Sequence, residues 1–272
     1  MARTRKTSEA GREFYRESMQ LLHEHNVPFL VGGAYAMALY TGIKRDTKDL
    51  DLYVRVQDLD LILRLFHEKR YRVERTHPHW LAKIFRRHDL IDLIYRAGNG
   101  LCEVDDSWLA RAQRHKVLGV QMRIAAPEEL IWMKAYIMER ERYDGADVAH
   151  LFLSCADRMD WKHLLARFGA DWPVLLSHLV LFGYIYPSER HRVPPGLLQR
   201  LVKKMRAEET EPGRKRVCRG TLLSRAQYLV DVERGFRDAR LDSRCDITPD
   251  ELESWTAAIP SESGVSIHSA RS

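Results

Sequence analysis

The stretch Arg45-Asp46-Thr47-Lys48-Asp49-Leu50-Asp51-Leu52-Tyr53-Val54 decides how this chain folds. From Leu50 to Val54 it alternates as a strand does: Leu50, Leu52 and Val54 fall on one face, Asp49, Asp51 and Tyr53 on the other. Two carboxylates at i and i+2 then point to the same side of a sheet, while the leucines anchor the opposite side in a core. Such a pair suits magnesium, which takes a few carboxylate oxygens and leaves its other positions to water and phosphate oxygens. A lone Asp-x-Asp is weak evidence, because an exposed edge-strand face carries the same pattern. The neighbours tip the balance.

Upstream, Phe29-Leu30-Val31 reads as a short buried strand running into Gly32-Gly33, and Ala34 to Tyr40 as a helix closed by Gly42. A glycine pair between strand and helix lets the backbone approach a phosphate, and the N–H groups at the helix start can receive it. A tight turn needing positive φ would use the same residues. Directly before the carboxylates, Arg45, Thr47 and Lys48 supply cations and a hydroxyl where a metal-bound triphosphate would lie. Downstream, Asp92 stands alone in the apolar run Leu90-Ile91-Asp92-Leu93-Ile94. An acid is costly to bury there unless it is paired or ligates a metal. If its strand lies beside the Asp49 strand, three carboxylates converge.

Leu59, Ile62, Leu63 and Phe66 make one face of an amphipathic helix. Residues 71–74, 81–85 and 90–95 read as three more strands, the last two a hairpin through Arg87-His88-Asp89. Strand and helix mixed in this way predict an α/β sheet with parallel and antiparallel pairs. Val120 to Ile124 adds a strand, and Pro127 opens a helix expected to reach about Glu141. On it Lys134, Met138 and Arg142 fall in one row, placing both cations to meet a phosphate, or instead Glu141, Asp144 and Asp147. Asp144 and Asp147 read as caps of the next helix. Helices are expected around 161–168, 173–185 and 196–206, then a charged linker over 208–220 and a disordered Ser-rich end. The chain thus divides into a catalytic domain at 1–155, a helical extension at 156–206, and a charged linker and tail at 207–272.

With 45% apolar and 30% charged residues the composition is that of a globular protein rather than a disordered one. No uninterrupted apolar run reaches 18 residues, so no membrane span is expected. The basic N-terminus is followed by no apolar signal segment, and the four cysteines form no CxxC pair. A reduced, cytoplasmic protein is expected. The net charge of +6 is compatible with a polyanionic ligand, and residues 187–220 hold ten Lys or Arg against four acids. Walker A, G-x-G-x-x-G and G-x-S-x-G sequences are lacking, which argues against a P-loop kinase, a Rossmann dehydrogenase and a serine hydrolase. His77 and His79 lack a third metal ligand at suitable spacing and read as a surface loop.

Val31-Gly32-Gly33-Ala34, then Arg45 to Leu52, then a later strand with a single acid, resembles the DNA polymerase β-like nucleotidyltransferase superfamily. Within it the chain is most similar to bacterial minor nucleotidyltransferases, among them abortive-infection toxins and small antibiotic-modifying enzymes. The likeness continues through Pro127 to Lys134 and Arg140 to Asp147, and spans roughly residues 25–155. It implies transfer of a nucleoside monophosphate from an NTP, expected to be ATP, to an acceptor hydroxyl, with pyrophosphate released. It further implies two Mg²⁺ ions about 3.5–4 Å apart, held by Asp49, Asp51 and Asp92, with Asp92 next to the acceptor oxygen. Gly32, Gly33, Arg45, Thr47, Lys48, Lys134 and Arg142 would then bind the nucleotide. Many members carry Gly-Ser where this chain has Gly32-Gly33, so a serine contact to phosphate is missing. The acceptor is left open between a small molecule, a tRNA end and a protein side chain. The rival reading is a non-catalytic module of the same fold that binds RNA or a protein partner.

Overall fold

The computed structural model describes residues 7–209 and 216–257. Its centre is a mixed seven-stranded sheet in the order β3-β4-β5-β2-β1-β7-β6. The strands are β1 (Leu30–Val31), β2 (Asp49–Tyr53), β3 (Arg72–His77), β4 (Leu81–Arg86), β5 (Asp89–Ile94), β6 (Gln113–Val117) and β7 (Val120–Ile124). β2 runs parallel to β5 and antiparallel to β1, and β1 runs parallel to β7. Leu50, Leu52, Ile91 and Leu93 are fully buried on the face away from the carboxylates, as the alternation requires. β6 was not expected. Four of its five residues are polar and it forms the edge of the sheet, where charged side chains belong.

Helix α1 (Glu9–Glu24) buries Phe14, Tyr15, Met19 and Leu22. Helix α2 (Gly33–Thr41) ends at Gly42 in the left-handed region (φ 73°). Helix α3 (Leu59–Glu68) turns Leu59, Ile62, Leu65 and Phe66 inward. A short α4 (Asp106–Arg111) is capped by Asp105 and drives Trp108 into the core edge-on to Tyr53. Helices α5 (Pro127–Ala135), α6 (Gly145–Cys155), α7 (Trp161–Phe168), α8 (Trp172–Ile185) and α9 (Leu197–Glu209) follow.

The helix from Pro127 stops at Ala135, one and a half turns short of the expected Glu141. Residues 136–142 have good helical propensity, but their backbone finds tertiary partners instead. Met138 N–H donates to Leu223 O at 3.0 Å, Met138 bridges Tyr143, and the Glu139 carboxylate receives Ser224 Oγ (2.7 Å) and the Arg225 N–H (3.1 Å). The stretch Trp161–Ile185 is long and apolar enough, by length and composition alone, to cross a membrane. It is divided at Gly169 (φ 48°), and Leu175, Leu176, Leu179 and Phe182 pack into the core.

The stretch expected as linker and tail contains a folded strap, residues 216–257, with β8 (Val217–Cys218), α10 (Leu229–Glu233), β9 (Arg237–Asp238) and α11 (Pro249–Ala257). The Ser-rich end lies outside the described residues. The strap is pinned by Asn99, whose Nδ2 donates to Leu222 O at 2.8 Å while its Oδ1 receives the Leu101 N–H. Trp255 packs on Gly98, where a Cβ would come within 2.6 Å of its ring. His79, expected in a surface loop, is buried beneath it with Nε2 2.9 Å from Gly98 O. Asn99→Ala leaves the Leu222 carbonyl and the Leu101 amide unpaired and is expected to cost about 1–3 kcal/mol. Urea denaturation measures this, and limited proteolysis should cut earlier within 216–257.

Candidate active site

Parallel pairing puts Asp51 of β2 directly opposite Asp92 of β5, with Asp49 one step away on the same face. Adjacent strands lie about 4.8 Å apart, so three carboxylates meet at the floor of one cleft. The conditional step in the sequence reading, that the Asp92 strand neighbours the Asp49 strand, is satisfied. Burial, and then the charges of Asp49 and Asp92, push the Asp51 carboxyl up to about 7, against the pull of Lys134 and Arg142. Burial also raises Asp92, although Lys83 Nζ, 2.9 Å from its Oδ1, works the other way. Lys83 lies opposite Asp92 on β4. Its alternation on a half-buried strand could have exposed it in the sequence, but nothing in the sequence said which acid it would meet.

The two glycines act differently from each other. Gly33 opens α2 at φ 50°, and a Cβ there would lie 1.6 Å from Asp51 Oδ2, so only glycine leaves room for the carboxylate. Gly32 donates its N–H to Asp51 O (2.9 Å), so that amide is taken by the sheet and is not free for phosphate. A Cβ at Gly32 would strike the Tyr53 ring at 2.4 Å. The helix bond from Ala36 N–H to Gly32 O leaves the Ala34 and Tyr35 amides without helical partners, with Ala34 lining the cleft, while the Gly33 amide donates to the Tyr53 hydroxyl.

The candidate cations divide. Arg45 NH2 lies 2.6 Å from Asp147 Oδ1, and Lys134 Nζ lies 2.7 Å from Asp144 Oδ2 and 2.8 Å from Asp147 Oδ2. Arg142 grips Asp144 with Nε and NH2 at 2.9 and 3.0 Å. Lys134 and Arg142 do converge, but through the 136–144 loop rather than along a helix row, and on a carboxylate. Asp144 occupies the cap position of α6 without a side-chain cap bond, because its carboxylate is turned to these cations. Burial would raise Asp144 and Asp147, yet Arg142 and Lys134 hold the first, and Lys134 and Arg45 the second, below the usual carboxylate range. Thr47 Oγ1 donates to Asp49 Oδ1 at 2.5 Å, so it orients the carboxylate. Lys48 is exposed and lies off the cleft, since the residue before Asp49 faces the opposite side of the strand.

The cleft, about 580 Å³, has a second wall that sequence reasoning missed, formed by Trp80, Ile94, Asn99 and, from the strap, Leu222, Leu223 and Trp255. These residues belong to loops far apart in sequence, and no local pattern joins them. The donors on the floor are hard carboxylate oxygens, buried and crowded enough to raise Asp51, which fits a divalent cation such as Mg²⁺. Among the described residues no three side chains enclose an ion by themselves. A metal on this floor would need water and substrate oxygens to complete its shell.

A mixed sheet with paired aspartates on one strand, a third beside them and a glycine-opened helix above is the fold of a nucleotidyltransferase. Residues 11–167 match the family described as "nucleotidyl transferase of unknown function" (DUF2204), and the chain belongs to that family. No curated protein matches it in sequence. Among solved structures, the antibiotic-resistance factor ANT(2'')-Ia is 18% identical, covering 62% of this chain and 96% of its own, with a TM-score of 0.43. The lincosamide antibiotic adenylyltransferase LnuA, lincomycin-bound, is 14% identical over 54% of this chain and 98% of its own (TM-score 0.39). An antigenic nucleotidyltransferase-like protein from Paracoccidioides brasiliensis is 17% identical over 64% and 93% (TM-score 0.37). None of them decides the substrate of this chain.

The raised Asp51 carboxyl has a consequence for the metal-free protein. Its folded value, about 7, exceeds the ordinary 3.8 of the unfolded chain, so its stabilising effect is complete only below about pH 4 and drains away as pH rises to about 7. Asp51→Asn is therefore expected to melt above the wild type at pH 8 in EDTA, with the gap closing toward pH 4. Calorimetric melts across that range check it.

Proposed function

We propose that the chain transfers a nucleoside monophosphate from a Mg²⁺-bound NTP, ATP in the first instance, to an acceptor hydroxyl. The observation that carries this is the register of Asp51 against Asp92 beside Asp49, under a helix whose first residue must be glycine to clear the Asp51 carboxylate.

Asp49, Asp51 and Asp92 would hold the metal, which supplies Lewis-acid stabilisation of the attacking and leaving oxygens. The Ala34 and Tyr35 amides at the start of α2 bind and orient the triphosphate. Arg45, Lys134 and Arg142 offset charge on the departing pyrophosphate, exchanging part of their hold on Asp144 and Asp147 for phosphate oxygens. Thr47 keeps Asp49 in its rotamer. The acceptor oxygen bonds to the α-phosphorus, the bond from that phosphorus to the β-bridging oxygen breaks, and pyrophosphate carries the electron pair away. Asp92, its Oδ1 engaged by Lys83, takes the hydroxyl proton on Oδ2.

Titration calorimetry of ATP, CTP, GTP and UTP, with and without Mg²⁺, is the direct test. One nucleotide is expected to bind only with magnesium, and Asp49→Ala/Asp51→Ala to abolish that binding. Lys134→Ala is expected to weaken it about tenfold, or about 1.4 kcal/mol. Nucleotide binding that survives the double substitution, or binding of none, would favour a non-catalytic module of this fold that binds RNA or a protein.

A further inference from the structure

The two sides of the cleft are chemically unlike, and sheet order sets them on opposite sides of the aspartates. β2, with Asp49 and Asp51, has β1 and β7 on one side and β5 and β4 on the other. The first side brings the α2 N-terminus and, through α5, Lys134. The second brings Asp92, then Ile94 two residues further on the same face, and Trp80 immediately before β4. In an in-line displacement the nucleophile enters opposite the leaving group. Pyrophosphate belongs on the cationic side, so the acceptor belongs on the side of Trp80 and Ile94.

Most charges on that side are paired. Arg96 is held by Glu103 (2.9 Å) and Asp246 (2.6 Å), and Glu139 by Ser224, the Arg225 amide and, at 3.6 Å, the Arg225 guanidinium. The acid in excess over Arg96 and the exposed Glu141 leave two carboxylates, too few to match the several ammonium groups of a polycation. The surface left is flat and apolar. Trp80 is fixed by stacking on His77 (5.6 Å between ring centres, 7° between planes), and its buried Nε1 has no hydrogen-bond partner. Leu222, Leu223 and Trp255 complete the wall, and all three lie beyond the 11–167 family match.

Resting on the nucleotidyl-transfer reading, we infer that this wall selects a small acceptor whose reacting hydroxyl lies next to a flat, uncharged apolar group. It rejects polycations. The strap, rather than the family region, then sets acceptor choice.

The test loads the full-length protein with Mg²⁺ and the α,β-methylene analogue of the NTP it binds, then titrates phenyl β-D-glucoside or tobramycin by calorimetry. The glucoside is expected to bind and tobramycin not to. Trp80→Ala should weaken the glucoside about tenfold. Leu223→Glu, a second variant in a partly exposed position, should weaken it similarly and gain affinity for tobramycin. In both variants nucleotide affinity should stay within about twofold of the wild type. Three results overturn the proposal: tobramycin binding the wild type more tightly, neither probe binding a nucleotide-loaded protein, or Trp80→Ala weakening the nucleotide as much as the glucoside, which would make this wall the base site. If the wild type binds no Mg²⁺-nucleotide at all, the transfer reading has failed and this inference falls with it.

Discussion

Three like charges held together on adjacent strands are the constraint around which this fold is arranged. Asp51 sits against Asp49 and Asp92 with too little water to screen them, and its carboxyl responds by binding its proton up to about pH 7. The opposite face of the same strands is fully apolar, so a one-residue register slip would turn Leu50 and Leu52 out of the core. Gly33 is fixed by the same geometry, because any side chain there would occupy the space of the Asp51 carboxylate. The hydrophobic core thus keeps the acids together at an electrostatic cost, which a bound cation would remove.

The strap is the second organising element. By taking the Met138 amide and the Glu139 carboxylate it ends α5 at Ala135, and the freed loop carries Arg142 round to Asp144 beside Lys134. A helix continued to Glu141 would have kept Lys134 and Arg142 two turns apart. The same strap residues that stop the helix also line the cleft, so the placement of the cations and the shape of the opposite wall depend on one segment.

The sheet and the carboxylate floor were legible because their signals are local. Period-two alternation placed Asp49 and Asp51 on one face, a glycine pair marked the strand-to-helix turn, and Asp92 stood out as an acid in an apolar run. What escaped was non-local. Gly32 looked like a phosphate ligand until sheet pairing consumed its amide, and Lys48 looked like a neighbour of the nucleotide until strand parity turned it away. Asp144 and Asp147 had the positions of caps, but burial beside Lys134 made pairing the stronger demand. The strap was hidden by its own composition, in which charge and glycine suggested a linker. Its apolar anchors Leu222, Leu252 and Trp255 are too sparse to make a period.

The charge balance of the cationic side bears on the proposed dependence on magnesium. Three cations, Arg45, Lys134 and Arg142, share two carboxylates, Asp144 and Asp147. One net positive charge is therefore left to face both the aspartate floor and any incoming triphosphate. That is little to hold a polyanion next to the aspartate floor, where like charges 4 Å apart repel by about 4 kcal/mol per pair at an effective dielectric of about 20, even with Lys83 offsetting Asp92 and Asp51 keeping its proton up to about pH 7. That balance favours a nucleotide whose charge is already reduced, as in the proposed magnesium complex. The ion-pair network keeps Lys134 and Arg142 positioned and mostly neutralised by Asp144 and Asp147, so their charge becomes available only as those pairs open.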